Sequence, residues 1–207
     1  GNGSVEHGLK QSRNLLIVGD PGTGKTTLLI QVLHYNYHFR QRNVLMLTFE
    51  ENFPVVTRTF KENFNWDVSF VQSISILNNE SPESIINEIQ SAIEESHADL
   101  VAFDGISRLK SVFEIKFRDR VAMLFKTLQM KGITGLFSIE SSSNKESKID
   151  YQADGIIHLY RKPWSRYLEI EKLRSQSFMA GCHAFEIIDC EYIKHEEKDK
   201  NLKSDSK

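Results

Sequence analysis

Eight residues, Gly19-Asp20-Pro21-Gly22-Thr23-Gly24-Lys25-Thr26, limit what this chain can fold into more than any other stretch. They fit the spacing G-x-x-x-x-G-K-[ST] without a mismatch. The context that gives the spacing meaning is also present. A short apolar run, Leu15-Leu16-Ile17-Val18, precedes it, and residues 26–38 follow with helical periodicity that puts Leu29, Val32 and Leu33 on one stripe. Glycines let the backbone wrap so that successive N–H groups point into one concavity, a nest for phosphate oxygens. The helix N-terminus adds partial positive charge. Lys25 would reach the β- and γ-phosphates, and the Thr26 hydroxyl would ligate Mg²⁺. A plain glycine-rich turn is the alternative; pattern and context together favour the cradle. Two other readings of the glycines fail. A dinucleotide fingerprint needs a third glycine where Thr27 stands. A guanine site would need N-K-x-D, and Asn144-Lys145-Glu146-Ser147 ends in serine, so adenine is the expected base.

The rest of the chain alternates strand and helix signals. Val44 to Phe49 and Leu100 to Phe103 are apolar runs of the kind found in strands buried on both faces. Pro54 opens a helix carrying Val55, Val56, Thr59 and Phe60, and Ser81-Pro82 opens another carrying Ile85, Ile86, Ile89 and Ile93. Val121, Leu124, Phe125 and Leu128 stripe a further helix; Gly132 ends it, and residues 133–139 form a fourth strand. From about Gly155 three strand-like stretches follow without a long helix between them, which predicts an antiparallel extension. The expected fold is α/β: a mostly parallel sheet flanked by helices, with antiparallel strands at its C-terminal edge. Residues 1–193 are expected to form one domain and residues 194–207, almost wholly polar or charged, a disordered tail.

Composition narrows the function classes. Of 207 residues, 26 are basic and 28 acidic, a net charge of −2 that supplies no global attraction to nucleic acid or anionic lipid. No apolar run approaches the roughly 20 residues that span a bilayer. Cys182 and Cys190 are joined by a strand-like segment that would hold their sulfurs more than about 20 Å apart, so they read as free, buried thiols in a reducing cytoplasm. The chain opens on Gly1 without a charged-then-apolar leader, so no secretory signal is expected.

A phosphate loop of this kind needs an acid at the tip of an apolar strand to hold the metal, and Asp104 is that residue. Hydrolysis further needs a carboxylate to orient a water. Glu50 and Glu51 follow the second strand, at the end where α/β sheets place their sites. Glu140, closing the fourth strand, is a lesser candidate.

These residues resemble the KaiC-like branch of the RecA superfamily, ATPases common in archaea, over most of the chain. The resemblance rests on the loop Gly19 to Thr26, on Thr48-Phe49-Glu50-Glu51, on Asn65-Trp66-Asp67, and on the strand ending in Asp104. It extends to Ala153-Asp154-Gly155 and to Lys172-Leu173-Arg174 followed by Phe185-Glu186-Ile187. It implies a RecA-like fold and a slow, Mg²⁺-dependent ATPase in a homo-oligomer, a hexameric ring being the family's habit. ATP would lie on Gly22, Thr23, Gly24, Lys25, Thr26 and Thr27; Thr26 and Asp104 would hold the metal; Glu50, Glu51 and Lys25 would carry catalysis. Lys172 and Arg174 would reach across a subunit boundary to a neighbour's nucleotide. The chain departs from the family's pattern at Gly105, where serine is usual, at Ser175 and Phe178, where glycine and histidine are usual, and in its opening from Gly3 to Gly8.

Other features read more simply. His34 and His38 have the spacing of a zinc pair but no third ligand, and are expected to be solvated. Phe60, Phe64, Trp66 and Phe70 read as core, and the run Ser141 to Ser143 as a loop. Arg108, Lys110, Lys116, Arg118 and Arg120 form a weak patch for nucleic acid, offset by Glu114 and Asp119. Two alternatives to a working ATPase stay open: a nucleotide-gated scaffold that reports occupancy to a protein partner, and a recombinase paralogue acting on single-stranded DNA.

Overall fold

The apolar runs become the middle of a single eight-stranded sheet in the computed structural model, which describes residues 13–50, 53–76, 81–174 and 177–187. In chain order the strands are β1 (Asn14–Gly19), β2 (Val44–Thr48), β3 (Val71–Ser73), β4 (Leu100–Asp104), β5 (Thr134–Ile139), β6 (Gly155–Lys162), β7 (Ser165–Leu173) and β8 (Cys182–Phe185). The helices are α1 (Lys25–Arg40), α2 (Phe53–Phe64), α3 (Pro82–Ser96), the single turn α4 (Lys110–Phe113), α5 (Phe117–Met130) and α6 (Ser141–Ser147). The sheet order is β3-β2-β4-β5-β1-β6-β7-β8. All pairs from β3 to β6 are parallel; β7 and β8 are antiparallel. The antiparallel edge therefore begins one strand later than the change of rhythm at Gly155 suggested, because β6 itself runs alongside β1.

Every residue of β1, β2, β4 and β5 is buried. Alternate side chains of these strands supply the two faces. Leu16, Val18, Leu45, Leu47, Val101, Phe103, Phe137 and Ile139 face one way, against Ile85, Ile89 and Ile93 of α3 and Val121, Leu124, Phe125 and Leu128 of α5. Leu15, Ile17, Val44, Met46, Leu100, Ala102 and Leu136 face the other, against Leu29, Ile30 and Leu33 of α1 and Phe60 of α2. Phe103 and Phe137 stack at 4.5 Å between β4 and β5, with Phe125 edge-on at 4.5 Å. The helix starts obey local chemistry: Ser81 Oγ accepts from the Ser84 N–H at 3.1 Å, with Pro82 in the first turn of α3.

Several expectations need correction. Ser141 to Ser143 begin the helix α6 and are not a loop. Cys182 is exposed, because β8 is the edge strand, and its sulfur hydrogen-bonds the Tyr160 hydroxyl. His34 is half-buried and stacks on Trp66 at 5.1 Å; His38 is the exposed member of the pair. Cys190, Glu51, Ser175, the opening at residues 3–8 and the tail at residues 194–207 lie outside the described residues.

Candidate functional site

The carboxyl ends of β1, β2, β4 and β5 place four sequence motifs beside one another. After β1 the chain turns through Gly22 (φ 78°) and Gly24 (φ 103°), left-handed conformations that favour glycine. Gly24 is the N-cap of α1 and no side chain caps the helix, so the first-turn N–H groups are left facing the loop. Thr23 braces the turn from inside: it is buried, and its Oγ1 donates to Asp20 O at 2.8 Å. Lys25 Nζ donates to Gly19 O at 2.7 Å and Asp20 O at 3.1 Å. Burial pulls this ammonium below the usual lysine range, against the opposing charges of Asp104, Glu140, Asp20 and Glu50.

Thr26 and Asp104, 78 residues apart, meet here: Thr26 Oγ1 donates to Asp104 Oδ2 at 2.9 Å. Asp104 is only 2% exposed. Burial pushes its carboxyl upward, while hydrogen bonds from Ser138 and Thr26 hold it down. Ser138, inside β5, was not singled out from the sequence. Its Oγ donates to Asp104 Oδ1 at 2.7 Å and accepts the Gly105 N–H at 2.8 Å, so one buried hydroxyl fixes both the carboxylate and the turn behind it. The sequence signal was a serine between Phe137 and Ile139 in a mainly apolar strand. Glu50 follows β2 next to these groups: Phe49 N donates to Asp104 O at 3.1 Å, and Glu50 N donates to Thr48 Oγ1 at 3.2 Å. Glu140 closes β5, its N–H donating to Ser107 Oγ at 3.0 Å.

A cavity of about 360 Å³ opens beside the loop, with Gly24, Thr27 and Leu28 on one side and Trp66, Phe185 and Ile187 on others. The aromatic residues were expected to be core. Phe60 and Phe70 are, but Phe64 and Trp66 also wall this cavity. Three of the five basic residues after β4 have partners within the chain: Arg108 pairs with Glu50 at 3.3 Å, Arg120 with Glu83 at 2.7 Å, and Lys110 lies over the Phe117 ring.

Lys172 and Arg174 are elsewhere. Gly19 pairs with Leu159, whereas Lys172 pairs with Ile156 and Leu173 with Gly155. Three residues of strand separate Lys172 from the level of Gly19 and more than four separate Arg174, roughly 10 Å and more than about 13 Å at about 3.3 Å per residue. Their side chains are held there: Lys172 Nζ donates to Asp150 O and Arg174 Nη2 to Tyr151 O, each at 3.2 Å. Burial and the adjacent Arg174 charge lower the Lys172 pKa. Asp154 locks this end, its Oδ2 accepting from Asn14 N at 3.0 Å and its O from Arg174 N at 2.8 Å.

A RecA-like sheet with a phosphate loop after its central strand defines the class. Residues 3–200 match the family described as "ATPase: KaiC", and the chain belongs to that family. Among curated relatives, the circadian clock oscillator protein KaiC of Rippkaea orientalis is 25% identical over 206 residues, covering 87% of this chain and 39% of that protein. The protein of the same name from Prochlorococcus marinus is 26% identical over 201 residues, covering 84% and 40%. The chain thus spans about two fifths of the length of these relatives. The crystal structure of a KaiC-like protein from the hyperthermophilic archaeon Pyrococcus horikoshii OT3 superposes with a TM-score of 0.74 at 21% identity, covering 87% of this chain and 88% of that one, which shows the shared fold.

Proposed function

We propose that this chain binds ATP with Mg²⁺ on Gly22, Thr23, Gly24, Lys25, Thr26 and Thr27 and hydrolyses it slowly within a homo-oligomer. The observation that carries the reading is the 2.9 Å contact between Thr26 Oγ1 and Asp104 Oδ2 beside an uncapped helix start. A hydroxyl and a carboxylate meeting there are hard oxygen donors of the kind Mg²⁺ takes, directly or through water. Thr26 and Asp104 would hold the metal, which when bound supplies positive charge to the phosphates. Backbone N–H groups of the loop and the α1 terminus grip the phosphate oxygens, and Lys25 turns from its carbonyl partners to them. The cavity walled by Trp66, Phe185 and Ile187 takes the base by apolar contact and stacking. Glu50, with Glu51 beside it in sequence, holds the water and accepts its proton.

Lys172 and Arg174 serve a neighbour's nucleotide, since strand length keeps them from their own. This reading requires an oligomer, for which the resemblance suggests a hexameric ring, and it places the protein in the cytoplasm with a regulatory or assembly role toward a protein partner. No helix among the described residues is long and apolar enough to cross a membrane. The engagement of Arg108 and Arg120 in ion pairs argues against the DNA-directed alternative. Phosphate release measured with and without single-stranded DNA, together with sizing with and without MgATP, tests the proposal. Turnover unaffected by DNA and a larger species with MgATP support it. ATP bound without phosphate release would leave the nucleotide-gated scaffold.

A further inference from the structure

We infer that Arg108 is a positioning residue for Glu50, holding its carboxylate beside the metal-binding aspartate where a water would be oriented. The inference rests on Glu50 acting in hydrolysis as proposed above. The main-chain end of Glu50 is set by its N–H donating to Thr48 Oγ1 at 3.2 Å, in a strand that is wholly buried. The carboxylate end has no such frame, because its side chain is 42% exposed. A flexible acid left next to buried Asp104 would swing outward, since like charges repel and solvent is at hand.

One contact opposes that movement, and one gap makes room for the inward position. Arg108 Nη2 lies 3.3 Å from Glu50 Oε2, on the outer side. Gly105 forms the inner side: a Cβ there would stand 2.6 Å from Glu50 Oε1 and 3.1 Å from its Cγ, so glycine leaves the space in which the glutamate lies. Gly105 also has φ 74°, which a side chain would strain. The turn bearing Arg108 is itself rigidly placed. Ile106 and Leu109 are fully buried, Arg108 N donates to Gly105 O at 3.0 Å, and Ser107 Oγ accepts from Glu140 N at 3.0 Å. One short turn thereby ties the ends of β2, β4 and β5 to the carboxylate. Ion pairs this exposed contribute little to folding, so the consequence falls on where Glu50 points.

The test is steady-state phosphate release by the full chain with MgATP, comparing Glu50→Gln, Arg108→Ala, Arg108→Lys and the double variant Glu50→Gln/Arg108→Ala. Arg108→Ala should lower kcat about tenfold or more, as misplacement of a catalytic group does, with KM held within about twofold. Arg108→Lys should recover part of the loss, and the double variant should be no slower than Glu50→Gln alone. Arg108→Ala with unchanged kcat, while Glu50→Gln stops turnover, overturns this inference and leaves the ATPase reading standing. A rise in KM alone, or losses that multiply in the double variant, overturns it too by assigning Arg108 a separate role. Full turnover by Glu50→Gln, or none by the unaltered protein, removes the reading on which it rests.

Discussion

The two ends of the sheet carry charged residues under opposite conditions. At the carboxyl ends of β1, β2, β4 and β5, Thr26, Asp104 and Ser138 sit in a network of bonds between 2.7 and 2.9 Å, with Asp104 only 2% exposed. At the other end, Lys172 and Arg174 rest on two main-chain carbonyls, each at 3.2 Å, and Arg174 is open to solvent. The first arrangement holds its oxygens in mutual hydrogen bonds, and order of that kind would lower the cost of the phosphate and metal binding proposed above. The second is loosely held and releasable. Cations that long and flexible lose little by leaving a surface carbonyl for a stronger acceptor on another molecule. On the function proposed above, the contrast would make nucleotide capture a property of one chain and completion of the site a property of an assembly.

The largest expected effect lies at the ordered end. Lys25→Ala should weaken ATP binding about 100-fold or more, because a charge-assisted contact to phosphate is lost in a partly desolvated loop. Isothermal titration with MgATP checks it, and unchanged affinity would break the assignment of the loop. Next comes the open end. Lys172→Ala with Arg174→Ala should slow turnover about tenfold or more while leaving affinity for a single nucleotide nearly unchanged. Mixing that variant with Glu50→Gln/Glu51→Gln copies should restore activity, since each then supplies what its neighbour lacks. Mixtures that stay inactive would show that the two ends do not cooperate between copies.

Ser138→Ala probes how much of the order comes from one hydroxyl. It strips partners from Asp104 Oδ1 and Gly105 N, so a loss of about 1–3 kcal/mol in urea unfolding is expected, and MgATP affinity should fall with it. The smallest effect concerns pH. Burial, then the like charge of His38, lowers the His34 pKa below its ordinary value of 6.5. The unfolded chain therefore takes up this proton more readily than the folded one. The resulting stability is present above about pH 6.5 and is lost as pH falls through the lowered folded value. Urea midpoints at pH 8 and pH 5.5 should differ in that direction, and His34→Gln should narrow the gap.

Much of this molecule was legible along the chain, and the readable parts share a cause. The loop, the four buried strands and the helix opening at Ser81-Pro82 depend on residues within one or two turns of each other, where spacing alone decides the conformation. Asp104 could be read because a strand's end is visible as the end of an apolar run. Ser138 could not, because a serine in a strand becomes informative only when its neighbour across the sheet is known. Trp66 looked like core for the same reason: its apolar ring has one wall against α2 residues and another open to a cavity formed partly by Phe185, more than a hundred residues away. The exposure of Cys182 followed from β8 being an edge, which alternation cannot reveal.

Sequence alone thus determined the glycine-rich turn between β1 and α1, the α/β alternation and the family, since these rest on local spacing and on the burial demanded by unbroken apolar strands. Only the tertiary structure decided which polar groups meet. It set Ser138 on Asp104 and Arg108 on Glu50, and it sent Lys172 and Arg174 to the far end from their own loop. Those outcomes depend on strand order and register, and strand order brings together residues whose separation along the chain carries no trace of their contact.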